Sequence, residues 1–427
     1  ANNKQRMLQA EADSLAQLIT GATAKNLVHV FFLQEQLKSL GKDTSYQPRR
    51  VHVIGAGTMG GDIAAWCAFR GFNVTLQDQA PERIAPAMKR AYTLFKRKLK
   101  RANKITGAMD RLMPDHKGIG VERADIVIEA IFEDTEVKRS LYEDIEPRMK
   151  QGAILATNTS SIPLEELSTA LEKPERLVGL HFFNPVAMMQ LVEVVRGETT
   201  SADVAAQAMT FTRQIDRLPL PVTSTPGFLV NRILMPYLME AVLLEAEGVP
   251  PAVIDRAATD FGMPMGPVQL ADTVGLDICL HVAEILAGHF NATIPERLSK
   301  LVDAGNLGRK SGRGFYEYRK GKPVKQKAST GNWNMDEISN RLVYRLLNES
   351  VSCVREQVVE SSDLLDAGMI FGTGFAPFRG GPMHYIDAIG ADAIYRQLQA
   401  LEKLRGERFT PDNGWETLMQ HSGGSTA

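Results

Sequence analysis

The hydrophobic pattern changes character along the chain, and each change marks a different architecture. Residues 1–48 read as helix: Leu15, Leu18, Ile19 and Ala22 recur at helical spacing. A dense apolar patch follows, made of Leu27, Val28, Val30, Phe31, Phe32 and Leu33. A polar stretch, GKDTSYQPRR, then leads into a doubly wound α/β pattern that starts at 51. There, short apolar runs (VHVIG, NVTLQD, ADIVIEAI, AILATNTS) alternate with charged helical stretches at 80–104 and 135–150. Near-continuous apolar strands of this kind suit a mostly parallel sheet covered by helices on both faces. From Pro226 onward the chain turns to long helices with Met, Leu and Ala faces.

The helical part repeats itself. NRILMPYLMEAV from 231 returns as NRLVYRLLNESV from 340, and VIDRAATDFGMPMGPVQLADTVGLD returns as LLDAGMIFGTGFAPFRGGPMHYIDAIGAD. Asp272 thereby corresponds to Asp387, and Gly275 to Gly390. The pattern gives four parts: a linker helix region at 1–48, an α/β domain at 49–225, a first helical module at 226–320 and a second at 333–427. A Gly- and Lys-rich stretch, 304–332, runs from one module to the other.

Composition narrows the function classes. A chain of 427 residues with 44% apolar and 23% charged residues is ordinary for a globular protein of two or three domains. The formal net charge of -1 provides no field to recruit nucleic acid. No apolar run approaches the roughly 18 residues that cross a bilayer. No secretory signal pattern opens the chain. Three well-separated cysteines (Cys67, Cys279, Cys353) exclude a disulfide framework and suit a reducing compartment. The chain begins at Ala1, as a processed or excised piece of a longer protein would.

Two groups of residues carry chemistry. In VHVIGAGTMGG a strand runs straight into Gly55-x-Gly57-x-x-Gly60, with Thr58 and Met59 opening the helix behind it. Such glycines permit a tight turn and let backbone approach a pyrophosphate at the helix N-terminus. Asp78 ends the following strand roughly 20 residues on, where an acid binds ribose hydroxyls and repels a 2′-phosphate. This predicts NAD rather than NADP. In GLHFFNPVAMMQLVEVV, His181 and Glu193 lie in two strand-like runs separated by the turn-forming pair Asn184-Pro185. A lone His is usually a core residue. A carboxylate on the neighbouring strand makes it a general base, with tautomer fixed and imidazolium stabilised. No third ligand is spaced near the pair, so no metal is expected there.

Three further segments keep two readings each. NTSS supplies Asn158, Thr159, Ser160 and Ser161 after a strand, either for a ligand or as a helix cap. Asn231 opens a helix, facing either a cleft or solvent. The basic run KRKLKRANK, which includes Arg101, is either a solvated face or a receiver of phosphates.

GAGTMG, Asp78, NTSS, GLHFFNPVAMMQLVEVV and TPGFLVNRILMPYLMEA together resemble the L-3-hydroxyacyl-CoA dehydrogenase family, in order from about 51 to 320. The resemblance implies a Rossmann-type sheet followed by the family's helical C-terminal module, here duplicated. It implies His181 and Glu193 as the base pair, with Ser160 and Asn231 on the substrate oxygen. NAD contacts are implied for Glu133, Lys138, Asn158, Asn184 and Lys310, and a Coenzyme A contact for Arg101. The active site would lie in the cleft between the α/β and helical parts.

The duplicated module and N-terminal helix look like the dehydrogenase half of a multifunctional fatty-acid oxidation protein whose hydratase/isomerase domain is absent here. That implies oxidation of an acyl-CoA substrate but no enoyl-CoA hydration, and a thiolase subunit as partner in a full-length complex. The second module would take a partner's place, so a monomer is expected to be competent, and any dimer to use another surface. The expected compartment is the bacterial cytoplasm, or the peroxisome or mitochondrion of a eukaryote. Two rivals are a short-chain 3-hydroxybutyryl-CoA dehydrogenase and a catalytically silent NAD-binding scaffold.

Overall fold

The computed structural model describes residues 2–42, 45–290, 294–324 and 333–423. Parts of the 304–332 stretch and of the polar linker, and the end of the second module, lie outside the described residues. The chain divides into two compact units, one of Leu37–Asn231 and the other of Ala1–Gln36 with Arg232–Ala427.

The N-terminal segment forms two helices, α1 (Asn2–Thr20) and α2 (Ala22–Ser39). Leu33 is buried, whereas Leu27, Val28, Phe31 and Phe32 are exposed. Spacing explains this division: those four residues recur on one helical face, and Leu33 belongs to another. Polar contacts seat α2 within its own unit. Asn26 donates to the Phe378 carbonyl, and the His29 and His384 rings stack at 4.5 Å.

In the α/β unit the strands are β1 (Arg50–Ile54), β2 (Asn73–Gln77), β3 (Leu112–Pro114), β4 (Ile126–Glu129), β5 (Ile154–Thr157), β6 (Leu177–Phe182), β7 (Leu191–Arg196) and β8 (Leu218–Thr223). They form one sheet in the order β3-β2-β1-β4-β5-β6-β7-β8. All neighbours are parallel except β6 and β7. The helices among them are α3 (Thr58–Phe69), α4 (Pro81–Lys98), α5 (Ala102–Asp110), α6 (Thr135–Ile145), α7 (Leu164–Ser168) and α8 (Ala202–Gln214). Every residue of β4, β5 and β6 is buried, as the apolar runs require of strands covered on both faces. Strand order reverses between β1 and β4, where doubly wound sheets bind ligands.

The hydrophobic pattern misses β3 and β8. β8 reads LPLPVT, and proline within a run argues against a strand. It is nonetheless tolerated at the sheet's edge. Leu218 and Ser224 donate inward to β7, so the alternating positions Pro219 and Pro221 face outward, where no donor is needed. The expected single helix at 80–104 is also corrected. α4 ends at Lys98, and Leu99 and Arg101 are extended before α5 begins.

The second unit holds both helical modules. The first runs through α9 (Val230–Ala246), α10 (Pro251–Phe261), α11 (Pro267–Val274), α12 (Leu276–Phe290) and α13 (Glu296–Asp303). The second runs through α14 (Met335–Arg355), α15 (Ser362–Thr373), α16 (Pro382–Ile389), α17 (Ala391–Arg405) and α18 (Gly414–Gly423). A two-residue strand pair, Tyr318–Arg319 with Lys322–Pro323, is the exception to an all-helical reading. The repeat extends to individual hydrogen bonds. Buried Asp255 of α10 accepts from the Val268 N–H at the start of α11 at 2.9 Å. Its counterpart Asp366 of α15 accepts from Met383 N–H at the start of α16 at 2.7 Å. The residue before each of these two helices is glycine, because a Cβ on Gly266 or Gly381 would come within 2.3 Å of the aspartate.

Ion pairs join the two modules reciprocally. Arg232 of the first pairs with Glu349 and Glu356 of the second, both at 2.7 Å. The equivalent Arg341 pairs with Glu240 and Glu247, each at 2.6 Å. Each arginine thus meets the counterparts of the two glutamates that meet the other, the pattern of a self-complementary two-fold interface. Arg341 and Glu240 are buried, and Glu240 also holds Arg408 at 2.8 Å, so removing Arg341 leaves that carboxylate with one of its two cations. Arg341→Met should destabilise the protein by about 1–3 kcal/mol, the cost of lost charge-assisted hydrogen bonds at a carboxylate that keeps one cation, read as a fall in the denaturant midpoint. A loss below about 1 kcal/mol would show that the pair behaves as an exposed one.

Candidate active site

Three strand ends and one helix start build the candidate site. At the carboxyl end of β1 the chain turns through Gly55, which has φ +103. A Cβ there would meet the Ala130 carbonyl at 2.4 Å, and one on Gly60 would meet the Gly55 carbonyl at 1.9 Å. These two glycines let strand, loop and helix approach one another. Gly57 differs: its Cβ direction meets nothing within 4 Å, and it precedes α3 without a side-chain cap. Thr58 is exposed and Met59 half-buried at that helix start. No side chain therefore occupies this helix start, where backbone N–H groups carry the positive end of the helix dipole. Asp78 closes the loop from the β2 side, accepting from Ala56 N–H at 2.8 Å and Ala80 N–H at 3.0 Å. Arg90, which the sequence pattern did not single out, donates to the Gly57 carbonyl at 2.8 Å. Open backbone at Gly57, an uncapped helix and an acid at the strand end fit a dinucleotide.

The second part follows from strand register. β6 and β7 are antiparallel, with His181 directly opposite Glu193. Their side chains meet at 2.6 Å, His181 Nδ1 to Glu193 Oε2. Glu193 is wholly buried and His181 nearly so. The other carboxylate oxygen, Oε1, accepts from the backbone N–H groups of Leu229 at 3.1 Å and Val230 at 2.9 Å. A carboxylate only accepts, so Nδ1 carries the ring proton and Nε2 keeps its lone pair. Phe183 and Phe228 pack on the imidazole, with centroids 4.5 and 5.9 Å away. Asn184, at the cis Asn184-Pro185 bond in the connection, is exposed.

The third part is the NTSS loop after β5. Asn158 accepts from Phe182 N–H at 2.9 Å, tying the loop to β6 beside His181. Asn231 donates its amide to the Ser160 carbonyl at 3.0 Å, so the structure brings those two predicted residues together. Neither Ser160 nor Ser161 caps α7: its N-cap is Pro163, and the Leu164 N–H is taken by Ser224. Both serine hydroxyls instead meet Glu133 Oε1, which also accepts from Thr159 Oγ1 at 2.7 Å and Ser160 N–H at 2.6 Å. Burial alone would raise the Glu133 carboxyl. The nearby Lys138 and these hydrogen bonds outweigh burial and hold it below the usual carboxylate value.

The other expected contacts are scattered. Lys138 is 1% exposed, with its ammonium held by Glu129 at 2.7 Å and Glu133 at 3.4 Å. Lys310 belongs to the helical unit and pairs with Asp277 at 2.6 Å. Arg101 is exposed at the start of α5. The sequence reading missed buried Glu129, although an acid inside the apolar run ADIVIEAI signals it. It also missed the two backbone N–H groups that hold Glu193, which no side-chain pattern encodes. Among the described residues, no helix is long and apolar enough to cross a membrane, and no cluster of three or more His, Cys, Asp or Glu could hold a metal ion.

Comparison with known proteins accords with this geometry. Residues 50–225 match the NAD binding domain of 3-hydroxyacyl-CoA dehydrogenase, and residues 227–318 and 338–424 each fall within matches to its C-terminal domain. The fatty acid oxidation complex subunit alpha of Shewanella baltica is 34% identical over 99% of this chain. The chain spans 63% of that relative's length. Among solved structures, 3-hydroxybutyryl-CoA dehydrogenase from Escherichia coli K12 aligns with a TM-score of 0.78 at 28% identity, over 89% of this chain and all of that one. The dehydrogenase part of multifunctional enzyme 1 from C. elegans aligns with a TM-score of 0.64 at 26% identity, over 93% of this chain and 99% of that one. With an NAD-binding domain and a twice-matched C-terminal domain, the chain belongs to the 3-hydroxyacyl-CoA dehydrogenase family.

Proposed function

We propose that this chain oxidises L-3-hydroxyacyl-CoA to 3-ketoacyl-CoA with NAD, as a step of fatty-acid oxidation. The observation that carries the reading is the buried His181–Glu193 contact with Nε2 left as the free imidazole base. His181 Nε2 takes the proton of the C3 hydroxyl, and Glu193 stabilises the imidazolium that forms. NAD, when bound, accepts the hydride that leaves C3. Ser160 and Asn231 hold the substrate oxygen, and such positioning contributes several kcal/mol, on the order of what fixed geometry yields elsewhere. Gly55, Gly57, Thr58, Met59, Gly60 and Asp78 hold the dinucleotide, with Asn158 and Asn184 at its reacting end. Arg101 is the candidate for the phosphates of Coenzyme A. A thiolase partner accords with the word "complex" in the relatives' name.

The E. coli structural neighbour raises a second reading, a short-chain 3-hydroxybutyryl-CoA dehydrogenase. Turnover of NAD with hydroxyacyl-CoA esters from four to sixteen carbons separates the two. Activity confined to four carbons favours the second reading, and no activity at any length favours a silent scaffold.

His181→Gln should leave NAD affinity nearly intact and lower kcat by about 10²–10⁴, the usual worth of a general base. A wild-type kcat would remove His181 from the chemistry. Asp78 should impose a preference for NAD over NADP of at least roughly a hundredfold in kcat/KM, on the order of 3 kcal/mol. Equal kcat/KM for the two cofactors would contradict the role given to Asp78.

Glu193→Gln tests the orientation of the pair. An amide offers one acceptor oxygen and one donor group. The Leu229 and Val230 N–H groups cannot become acceptors, so the amide oxygen should stay with them. The NH2 then faces Nδ1, which must become the acceptor and move the ring proton to Nε2. A loss of about 10²–10⁴ in kcat is expected from the wrong tautomer. Full activity in this variant would show that Glu193 does not set the tautomer.

A further inference from the structure

The motif Gly55-x-Gly57-x-x-Gly60 is followed at once by a fourth glycine, Gly61, which the dinucleotide pattern does not require. A side chain from the next helix explains it. A Cβ on Gly61 would come within 2.6 Å of Arg90 Nη2 and within 2.8 Å of the Ala87 Cβ, both on α4. The Arg90 guanidinium thus crosses α3 through the space that a glycine leaves. There it forms a fork: Nε donates to Asp62 Oδ1 at 3.2 Å, and Nη2 donates to the Gly57 carbonyl at 2.8 Å. The Arg90 and Asp62 side chains are 40% and 30% exposed, so as an ion pair they add little to stability. What the fork fixes is the start of α3.

The Gly57 carbonyl has two lone pairs, and both are taken. Gly61 N–H donates to it at 3.0 Å as the first turn of α3 closes, and Arg90 supplies the second donor. A planar trans peptide sets the following N–H opposite its carbonyl. Holding the Gly57 oxygen from the α4 side therefore also sets the direction of the Thr58 N–H. That group belongs to the first turn of a helix, where N–H groups have no partner within the helix.

We propose that Arg90 is a positioning residue for the cofactor: it holds the Gly57–Thr58 peptide so that the Thr58 N–H meets the dinucleotide pyrophosphate. Gly61 is the companion of that role, since any side chain there would displace the guanidinium. The role rests on the reading that places the pyrophosphate at the start of α3. Asp62 completes the device by fixing the plane of the guanidinium, so that its second donor reaches the carbonyl without searching. The four residues come from two stretches of sequence, and only the packing of α4 on α3 brings them together.

The test uses the full chain and the variants R90Q, G61A and R90Q/G61A. Alanine favours a helix more than glycine does, so G61A exchanges the guanidinium for a methyl without weakening α3 itself. NADH affinity by fluorescence and ADP-ribose affinity by calorimetry should each fall about tenfold in R90Q and in G61A, roughly the worth of one hydrogen bond. The double variant should bind no more weakly than R90Q, because both changes remove the same contact. Adenosine, which lacks the pyrophosphate, should compete equally well for all four proteins. In turnover the loss should lie in the KM for NAD rather than in kcat.

Unchanged NADH affinity in R90Q would overturn the proposal. An equal loss for adenosine would show a general loosening of the loop, and would overturn it as well. Losses that multiply in the double variant would separate Gly61 from Arg90, with the same consequence. The Thr58 amide, followed by 15N-threonine labelling and assigned with T58S, reads the peptide with no ligand present. Its signal should move to one common position in R90Q and G61A, and a signal that stays at the wild-type position would contradict the proposal. Failure of the wild type to bind ADP-ribose would sink the placement of the pyrophosphate, while the Thr58 amide would still decide whether Arg90 sets that peptide.

Discussion

A single buried carboxylate orders the candidate site. Glu193 has no contact with water, and each of its oxygens has a separate task. One fixes the imidazole of His181, and the other holds two backbone N–H groups immediately before Asn231. The residue that sets the proton on the His181 imidazole therefore also fixes the chain that presents the Asn231 amide to Ser160. A buried charge is costly unless fully paired. Three donors on two oxygens satisfy that requirement, and their geometry leaves Nε2 as the free nitrogen. Loss of any of the three would leave part of the charge uncompensated, which is why the arrangement is rigid.

The same principle recurs on β4, three positions along the sheet from β7. Glu129 and Glu133 are held by one lysine and a set of hydroxyl and backbone donors, and they support the NTSS loop from below. The α/β unit thus carries two buried acidic centres at the carboxyl ends of its strands. Glu193 holds the imidazole of His181, and the Glu129–Lys138–Glu133 chain holds the backbone of Ser160. Both are electrostatically preorganised, so little reorientation is needed when charge develops during reaction. The helical unit uses buried charge differently. Its reciprocal arginine–glutamate pairs join two copies of one module, the intrachain equivalent of an isologous dimer contact.

Much of this was legible in the sequence because it depends on local pattern. The glycine motif follows a strand and precedes a helix, and Asp78 ends the next strand, so loop and acid could be placed from order alone. His181 and Glu193 were readable as a pair because each interrupts an apolar strand with a turn between them, and the antiparallel register sets them opposite each other. The duplication was visible as repeated text, down to Asp272 with Asp387. Other features depend on the fold and left little trace. β8 was hidden by its prolines, which only an edge position excuses. The break between α4 and α5 falls in a run of Lys and Arg that gives no stop signal. The sequence offered Lys138 only as an NAD contact implied by resemblance, and the arrangement of Glu129 and Glu133 around it shows that it is buried.

The central claim is that the Glu193 oxygen facing His181 acts on the proposed chemistry through that imidazole alone. A double-mutant cycle in kcat with H181Q, E193Q and the combined variant tests this most directly, since residues acting as a unit are non-additive. The account predicts that the double variant is no slower than H181Q alone, because the glutamine oxygen still accepts from Leu229 and Val230 and the exchanged group has no imidazole left to orient. Losses that multiply in the double variant would show that Glu193 works independently of His181, and would contradict the account.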